Sequence, residues 1–120
     1  MVEEIYLEDC KAFINNNYVQ KLLAFLRNES KRVASNAEYM KVYQVIIYQC
    51  DTNDNNEQIY EIFEQFVEEY LNQEVIPVLD GKTGEQLLIN LVKVWEDYLI
   101  YSKMMDRSFE YLNRYFLKNN

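Results

Sequence analysis

The sequence contains no histidine, and this absence limits the chemistry that the chain can perform. Histidine is the commonest general base and metal ligand in proteins, because its imidazole titrates near neutral pH. The two cysteines, Cys10 and Cys50, lie far apart in the chain and cannot complete a structural zinc site by themselves. We therefore predict no catalytic site, no metal and no cofactor, and we interpret both cysteines as buried intracellular thiols rather than a disulfide.

Glycine and proline are also scarce, with 2 Gly and 1 Pro among 120 residues. Because tight turns between strands rely on these residues, their scarcity disfavours a sheet with many hairpins. Apolar residues still make up 49% of the chain, which is enough for one domain of this length to bury a core. The composition therefore predicts a single all-α bundle.

Positive charge is in short supply, since 12 Lys and Arg stand against 20 Asp and Glu and give a net charge of −8. Nucleic acids and anionic membrane surfaces are bound through clustered Lys and Arg, and no such cluster stands out. No apolar run approaches transmembrane length, and the N-terminus lacks the pattern of a signal peptide. We predict that neither nucleic acid nor a membrane is a partner.

The spacing of apolar residues predicts five helices. They cover residues 8–28, 38–50, 59–71, 85–98 and 100–117, with polar connectors at 30–36, 51–56 and 80–84. Ser35 or Asn36 is expected to cap the second helix. Pro77 is expected to bend the continuation of the third helix, and Trp95 is assigned to the core.

The second predicted helix is apolar on almost every side. A helix of this kind must be buried on most sides, but a bundle this small can hardly surround one of its own helices. We therefore predict that one of its faces binds a partner. Tyr39, Tyr43 and Ile47 share a face, because they stand at positions i, i+4 and i+8.

The final predicted helix carries two adjacent stripes of side chains. The first is apolar and is expected to face the core. The second lies one residue behind and is more polar and aromatic, as at the edge of an interface. The two stripes are Met105, Phe109, Leu112 and Phe116, and Met104, Ser108, Tyr111 and Tyr115.

Four segments resemble the N-terminal region of cullins, in the same order and with similar spacing. The most specific is Tyr111-Leu112-Asn113-Arg114-Tyr115-Phe116, which resembles the Y-[LM]-[ND]-R-[YHV]-[WFY] signature that ends the first cullin repeat. The others are Tyr39-Met40-Lys41-Val42-Tyr43 with Ile47-Tyr48-Gln49-Cys50, residues 57–71 with Val75-Ile76-Pro77-Val78-Leu79, and Trp95-Glu96-Asp97-Tyr98 with Ser102-Lys103. The resemblance covers about residues 36–120 and is weak over the first 35.

The resemblance implies a five-helix cullin-repeat bundle that acts as a non-catalytic scaffold in a ubiquitin ligase complex of the cytoplasm and nucleus. Residues 1–120 are expected to form a single cullin repeat, the first of the N-terminal region. The C-terminal half of a cullin, which recruits the RING subunit, has no counterpart in this sequence. The chain is therefore expected to be a fragment of a longer scaffold, and a short natural protein is the alternative.

By position, the resemblance also implies a docking surface for a BTB-fold adaptor and its F-box protein on the second and fifth helices. The Y-M-x-V-Y form of the second helix is similar to that of SCF-type cullins, which bind Skp-type adaptors. A cullin that binds BTB substrate receptors and a self-associating helical protein remain as alternatives. The implied contact residues are Tyr39, Met40, Tyr43, Ile47, Met104, Arg107, Ser108, Tyr111 and Tyr115.

Overall fold

The computed structural model describes residues 6–32 and 34–110, and within these ranges every regular element is helical. The α-helices are α1 Leu7–Ile14, α2 Gln20–Leu26, α3 Asn36–Ile47, α4 Asn56–Tyr70, α5 Ile76–Leu79 and α6 Gly84–Ser108. Short π-helical segments at Asn15–Val19, Tyr48–Thr52 and Leu71–Val75 join or extend them. The all-α prediction is confirmed for this part of the chain.

The π-helical segments keep neighbouring α-helices in one continuous run. In such a segment a backbone N–H bonds five residues back, so one extra residue is accommodated and the apolar face is re-aimed. The first segment joins α1 to α2 through the run of asparagines, and the third joins α4 to α5. Pro77 stands in the first turn of α5, where its missing N–H needs no partner within the helix. The chain therefore remains helical through this proline to Leu79.

The separate fourth and fifth helices of the prediction form a single helix, α6, which is unbroken from Gly84 to Ser108. No glycine or proline follows Gly84 in this segment, so no residue of the kind that ends a helix stands near position 99. The described residues consequently form four continuous helical runs, where the sequence predicted five helices. None of these helices is both long enough and apolar enough to cross a bilayer.

A capping box fixes the start of α3. The Ser35 hydroxyl accepts a hydrogen bond from the Glu38 backbone N–H at 3.2 Å, and a Glu38 carboxylate oxygen accepts one from the Ser35 N–H at 3.0 Å. Each bond satisfies a donor that the first turn of a helix leaves free. The predicted cap at Ser35 is confirmed.

The core lies between the first three helical runs and the C-terminal half of α6. Two buried tyrosines of this core, Tyr18 and Tyr101, donate their hydroxyl hydrogen bonds to backbone carbonyls, which satisfies these groups away from water. Tyr101 stacks on Tyr70 with ring centroids 4.0 Å apart and donates to the Phe66 carbonyl at 3.1 Å. The largest of the fully buried side chains are Tyr18, Tyr101, Phe66, Phe109, Ile14, Leu22, Ile46, Ile59, Met105, Gln49 and Val42.

Trp95 lies outside this core, contrary to the prediction, and its side chain is 57% exposed. Its neighbour Val94 is buried, and in the C-terminal half of the helix Tyr101 and Met105 are buried as well. Consecutive helical residues point about 100° apart. When Val94 faces the core, Trp95 therefore lies at the edge of the helix face that meets the core. The apolar character of Trp95 alone could not reveal which face of the helix meets the bundle.

Candidate partner-binding surface

The first half of α3 lies beside the C-terminal end of α6, and two predicted contact residues meet there. The Tyr39 hydroxyl donates a hydrogen bond to the Arg107 backbone carbonyl at 2.9 Å. The Arg107 guanidinium lies over the Tyr39 ring, 5.0 Å from its centroid, within the range of a cation–π interaction. Tyr43 stacks on Tyr39 with ring centroids 6.1 Å apart. The aromatic pair is thus fixed in place by the neighbouring helix.

The predicted contact residues around this pair are open to solvent to different degrees. Met40 is 46% exposed and Arg107 is exposed as well. Tyr39, Tyr43, Ile47 and Met104 are half-buried. We refer to Tyr39, Met40, Tyr43, Ile47, Met104 and Arg107 as the Tyr39 surface. It combines aromatic and thioether groups with one cation, a composition that is typical of the centres of protein interfaces.

Ser108 is placed differently from its expected role. Its side chain has no accessible surface, and its hydroxyl donates a hydrogen bond to the Met105 carbonyl at 3.1 Å. A group that is enclosed in this way cannot touch a partner directly, so we remove Ser108 from the predicted surface and assign it to packing. Tyr111 and Tyr115 lie outside the described residues, and their predicted roles stay predictions.

Tyr18 packs against two residues of the Tyr39 surface, Tyr39 and Met104, and the sequence analysis predicted no role for it. Its hydroxyl donates to the Met104 carbonyl at 3.1 Å, and its ring centroid lies 6.1 Å from that of Tyr39. Burial, with a smaller effect of Tyr39, raises the pKa of Tyr18 to about 12, while Arg107 acts to lower it. Its position four residues after buried Ile14 was a usable signal, because that spacing extends the apolar stripe of α1.

The two cysteines are free and buried; Cys10 lies in α1, and Cys50 lies in the π-helical segment Tyr48–Thr52 that extends α3. Burial is the main cause that raises the pKa of Cys10 to about 11 and that of Cys50 to about 12. Thiols of this kind are poor nucleophiles, since the thiolate is the reactive form. Within residues 6–32 and 34–110, no cluster of three or more Cys, Asp or Glu residues could hold a metal ion.

The comparisons with known proteins agree with one another. The model of the Cullin alpha solenoid domain family matches residues 16–120. Cullin-1 of Oryza sativa subsp. japonica is 32% identical over 102 residues, which make up 82% of this chain and 14% of that protein. In Arabidopsis thaliana, cullin-like protein 2 is 30% identical over 103 residues and Cullin-like protein 3 is 30% identical over 97 residues.

Those two matches cover 85% and 81% of this chain, and 28% and 38% of the respective relatives. The chain thus spans well under half the length of each of these three proteins. No solved structure matches. The family model covers most of the chain, and both the helical fold and these relatives are consistent with it; the chain belongs to the cullin family.

Proposed function

We propose that this chain is a docking module of a cullin scaffold that binds a BTB-fold adaptor of the Skp type, together with its F-box protein, through the Tyr39 surface. Cullins are the scaffold proteins of ubiquitin ligases, and a scaffold acts by holding partners rather than by chemistry of its own. On this proposal the chain works in the cytoplasm and nucleus. A RING subunit is recruited by a region of cullins that this chain does not match.

The observation that carries the proposal is the contact of the Tyr39–Tyr43 stack with Arg107 across two helices. Tyrosine and arginine are enriched among the residues that dominate binding energy at interfaces. A side chain that is ordered before binding loses little rotamer freedom when the partner arrives. Tyr39 is ordered by its bond to the Arg107 carbonyl, and Tyr43 is ordered by stacking on it. The surface is therefore prepared for a partner.

The choice between two kinds of partner rests on few side chains. The Tyr39-Met40 pair, with Met40 open to solvent, favours a Skp-type adaptor, because the Y-M-x-V-Y helix is similar to that of SCF-type cullins. A BTB substrate receptor is the second candidate, since it shares the adaptor's fold. A methionine side chain adapts its shape to a hydrophobic pocket, so Met40 would supply the apolar anchor in either case.

A titration of the purified chain with a Skp-type adaptor bound to an F-box segment tests the proposal. Wild type is compared with Tyr43→Ala, and Tyr6→Ala serves as the matched control. Tyr6 is 74% exposed and lies just before α1. Tyr18, whose ring lies near that of Tyr39, is about three turns further along the same helical run. Tyr6 is therefore an exposed tyrosine some three turns before the part of this run that packs on Tyr39. Circular dichroism shows whether each variant is folded.

We expect the wild type and Tyr6→Ala to bind alike and Tyr43→Ala to bind at least ~30-fold more weakly, corresponding to ~2 kcal/mol or more. Equal binding by all three would place the contact elsewhere. A folded wild type that binds no Skp-type adaptor would contradict the assignment, and the same titration with a BTB receptor would then decide the second candidate.

A further inference from the structure

The N-terminal half of α6 carries a second apolar surface that is separate from the Tyr39 surface. Its side chains fall at helical spacing on one face of the helix. They are Leu88, Leu91, Val92, Trp95 and Leu99, exposed by 63%, 46%, 58%, 57% and 49%. We call them the α6 stripe. Soluble monomers rarely leave so many adjacent large apolar side chains in water, and such patches usually mark an interaction site.

The remainder of the bundle leaves the stripe uncovered within the described part of the chain. The residues of α6 that are buried are Val94, Tyr101, Met105 and Ser108, and they lie on a different face. Three of these four stand in the C-terminal third of the helix, so the N-terminal half makes fewer core contacts. Its apolar residues therefore need a partner from outside the described bundle.

The stripe is nearly symmetric about its own midpoint, between Lys93 and Val94. Leu88 and Leu99 are equally distant from that midpoint in the sequence, as are Val92 and Trp95. Two copies of a helix with this symmetry can pack antiparallel about a two-fold axis, because Leu88 then meets Leu99 of the other copy and Val92 meets Trp95. Leu91 is the exception, since the position symmetric to it is Glu96. A sequence arranged to receive an unrelated helix has no need of this symmetry.

Two residues of opposite charge, Glu85 and Lys103, lie at the edge of the α6 stripe and are nearly equally distant from the same midpoint. Glu85 and Lys103 are both exposed, and they lie on the same edge because about five turns of 3.6 residues separate them. In an antiparallel pair, the two-fold axis lies in the plane of the contact and is perpendicular to the helices. This axis places the Glu85–Lys103 edges of the two copies on the same side of the dimer. Each Glu85 would then lie opposite Lys103 of the second copy, which gives two ion pairs per dimer.

We propose that two copies of this chain associate through the α6 stripe, with their α6 helices packed antiparallel about a two-fold axis near Lys93 and Val94. The exposed parts of five large apolar side chains amount to an area on the order of several hundred Å² per copy. That is less than the ~800 Å² per partner of a standard interface. We therefore expect a reversible dimer with a Kd in the micromolar range, on the order of 10 µM.

The dimer would leave the Tyr39 surface free. Arg107 lies about two turns beyond Leu99, and roughly 80° around the helix from it. The adaptor would consequently bind each copy at a place that the second copy does not cover. Dimerisation and adaptor docking are thus independent, and either can fail while the other holds.

Sedimentation equilibrium of the chain from about 1 µM to about 200 µM tests the association. The stripe variant is Val92→Glu, and the control is Ile76→Glu on α5, where Ile76 is 56% exposed, close to the 58% of Val92. We expect wild type and Ile76→Glu to shift from monomer to dimer, and Val92→Glu to stay monomeric, with its Kd raised at least ~50-fold. A wild type that is monomeric throughout, or a Val92→Glu variant that dimerises like wild type, would overturn the proposal.

Charge exchange tests the antiparallel arrangement. Glu85→Lys and Lys103→Glu should each weaken the dimer ~3- to 10-fold, because each places like charges opposite one another twice. The double variant Glu85→Lys/Lys103→Glu restores opposite charges and should return the Kd to within ~2-fold of wild type. A double variant that is weaker than either single variant would exclude this pairing of the two helices.

Discussion

Tyr39 is held to the end of α6 by two different groups of the same residue, Arg107. The hydroxyl of the tyrosine bonds to the backbone carbonyl at 2.9 Å, while the guanidinium covers the ring at 5.0 Å. Because one contact uses the backbone and the other the side chain, substitution can remove either one alone.

We expect Tyr39→Phe to lower the free energy of unfolding by ~1 kcal/mol, since it removes the hydrogen bond but keeps the ring under the guanidinium. Arg107→Ala should lower it by ~0.5–1 kcal/mol through loss of the cation–π contact at an exposed site, while the bond to the backbone persists. Urea denaturation of each variant measures the change, with Arg32→Ala in the connector before α3 as the control. Unchanged midpoints for both variants would show that the contacts do not stabilise the fold.

The capping box at the start of α3 predicts a second effect on stability. Ser35→Ala removes the acceptor for the Glu38 N–H and should lower the free energy of unfolding by ~1 kcal/mol. Asn36→Ala, at the exposed first residue of the helix, is the matched control and should change stability by less than ~0.5 kcal/mol. Thermal unfolding followed at 222 nm is the measurement. Equal effects of the two substitutions would argue against a specific role of the cap.

The buried hydroxyl of Tyr101 predicts a third effect. Tyr101→Phe keeps the ring stacked on Tyr70 but removes the bond to the Phe66 carbonyl. The Phe66 carbonyl then loses its buried hydrogen-bond donor, and we expect the free energy of unfolding to fall by ~1–2 kcal/mol. Tyr98→Phe, at a half-buried position on the same helix, should cost less than ~0.5 kcal/mol. Guanidinium denaturation of both variants gives the comparison, and a Tyr101→Phe variant as stable as wild type would refute it.

Stability should fall at alkaline pH. The folded pKa values of Cys10, Cys50 and Tyr18, about 11, 12 and 12, lie above their ordinary values of 9 and 10 mainly because of burial. Above about pH 9 the unfolded state therefore binds fewer protons than the folded state, so the free energy of unfolding decreases as pH rises. Below that range these groups are protonated in both states and their contribution is constant. Urea unfolding from pH 7 to pH 10.5 measures this, and stability that rose above pH 9 would contradict it.

The same burial predicts slow labelling of the thiols. At pH 8 iodoacetamide should modify Cys10 and Cys50 at least ~100-fold more slowly in the folded chain than in urea, because both burial and a low thiolate fraction suppress attack. Mass spectrometry of quenched samples distinguishes the two sites. Rapid modification of either thiol in the folded chain would show that the structure around that thiol opens readily.

The sequence was informative where a signal was local. The capping residues of α3 and the helical class follow from residues that act within one or two turns, and these predictions were confirmed. The predicted break between residues 98 and 100 was wrong, because it rested on the spacing of apolar residues and not on a helix-breaking residue. That spacing is also compatible with one helix that changes neighbours along its length.

Predictions that depended on packing direction were harder to make. Trp95 was assigned to the core by residue type, but α6 turns the neighbouring face inward, and Ser108 is enclosed although it stands in a polar stripe. The spacing of Tyr18 from Ile14 indicates that Tyr18 is buried, but the sequence does not show that its ring lies beside that of Tyr39. The sequence alone does not specify the rotation of a helix about its own axis when several of its faces are apolar.

The unbroken course of α6 from Gly84 to Ser108 means that the α6 stripe and the Arg107 end of the Tyr39 surface are carried by one stiff rod. On the two proposals made above, the angle between a bound adaptor and a second copy of the chain would be set by the number of residues between Leu99 and Arg107, not by a hinge. One residue inserted there would swing the two directions apart by about 100° and move them only about 1.5 Å further along the axis. The relative orientation of the two proposed partners would thus depend on the number of residues between Leu99 and Arg107 in α6.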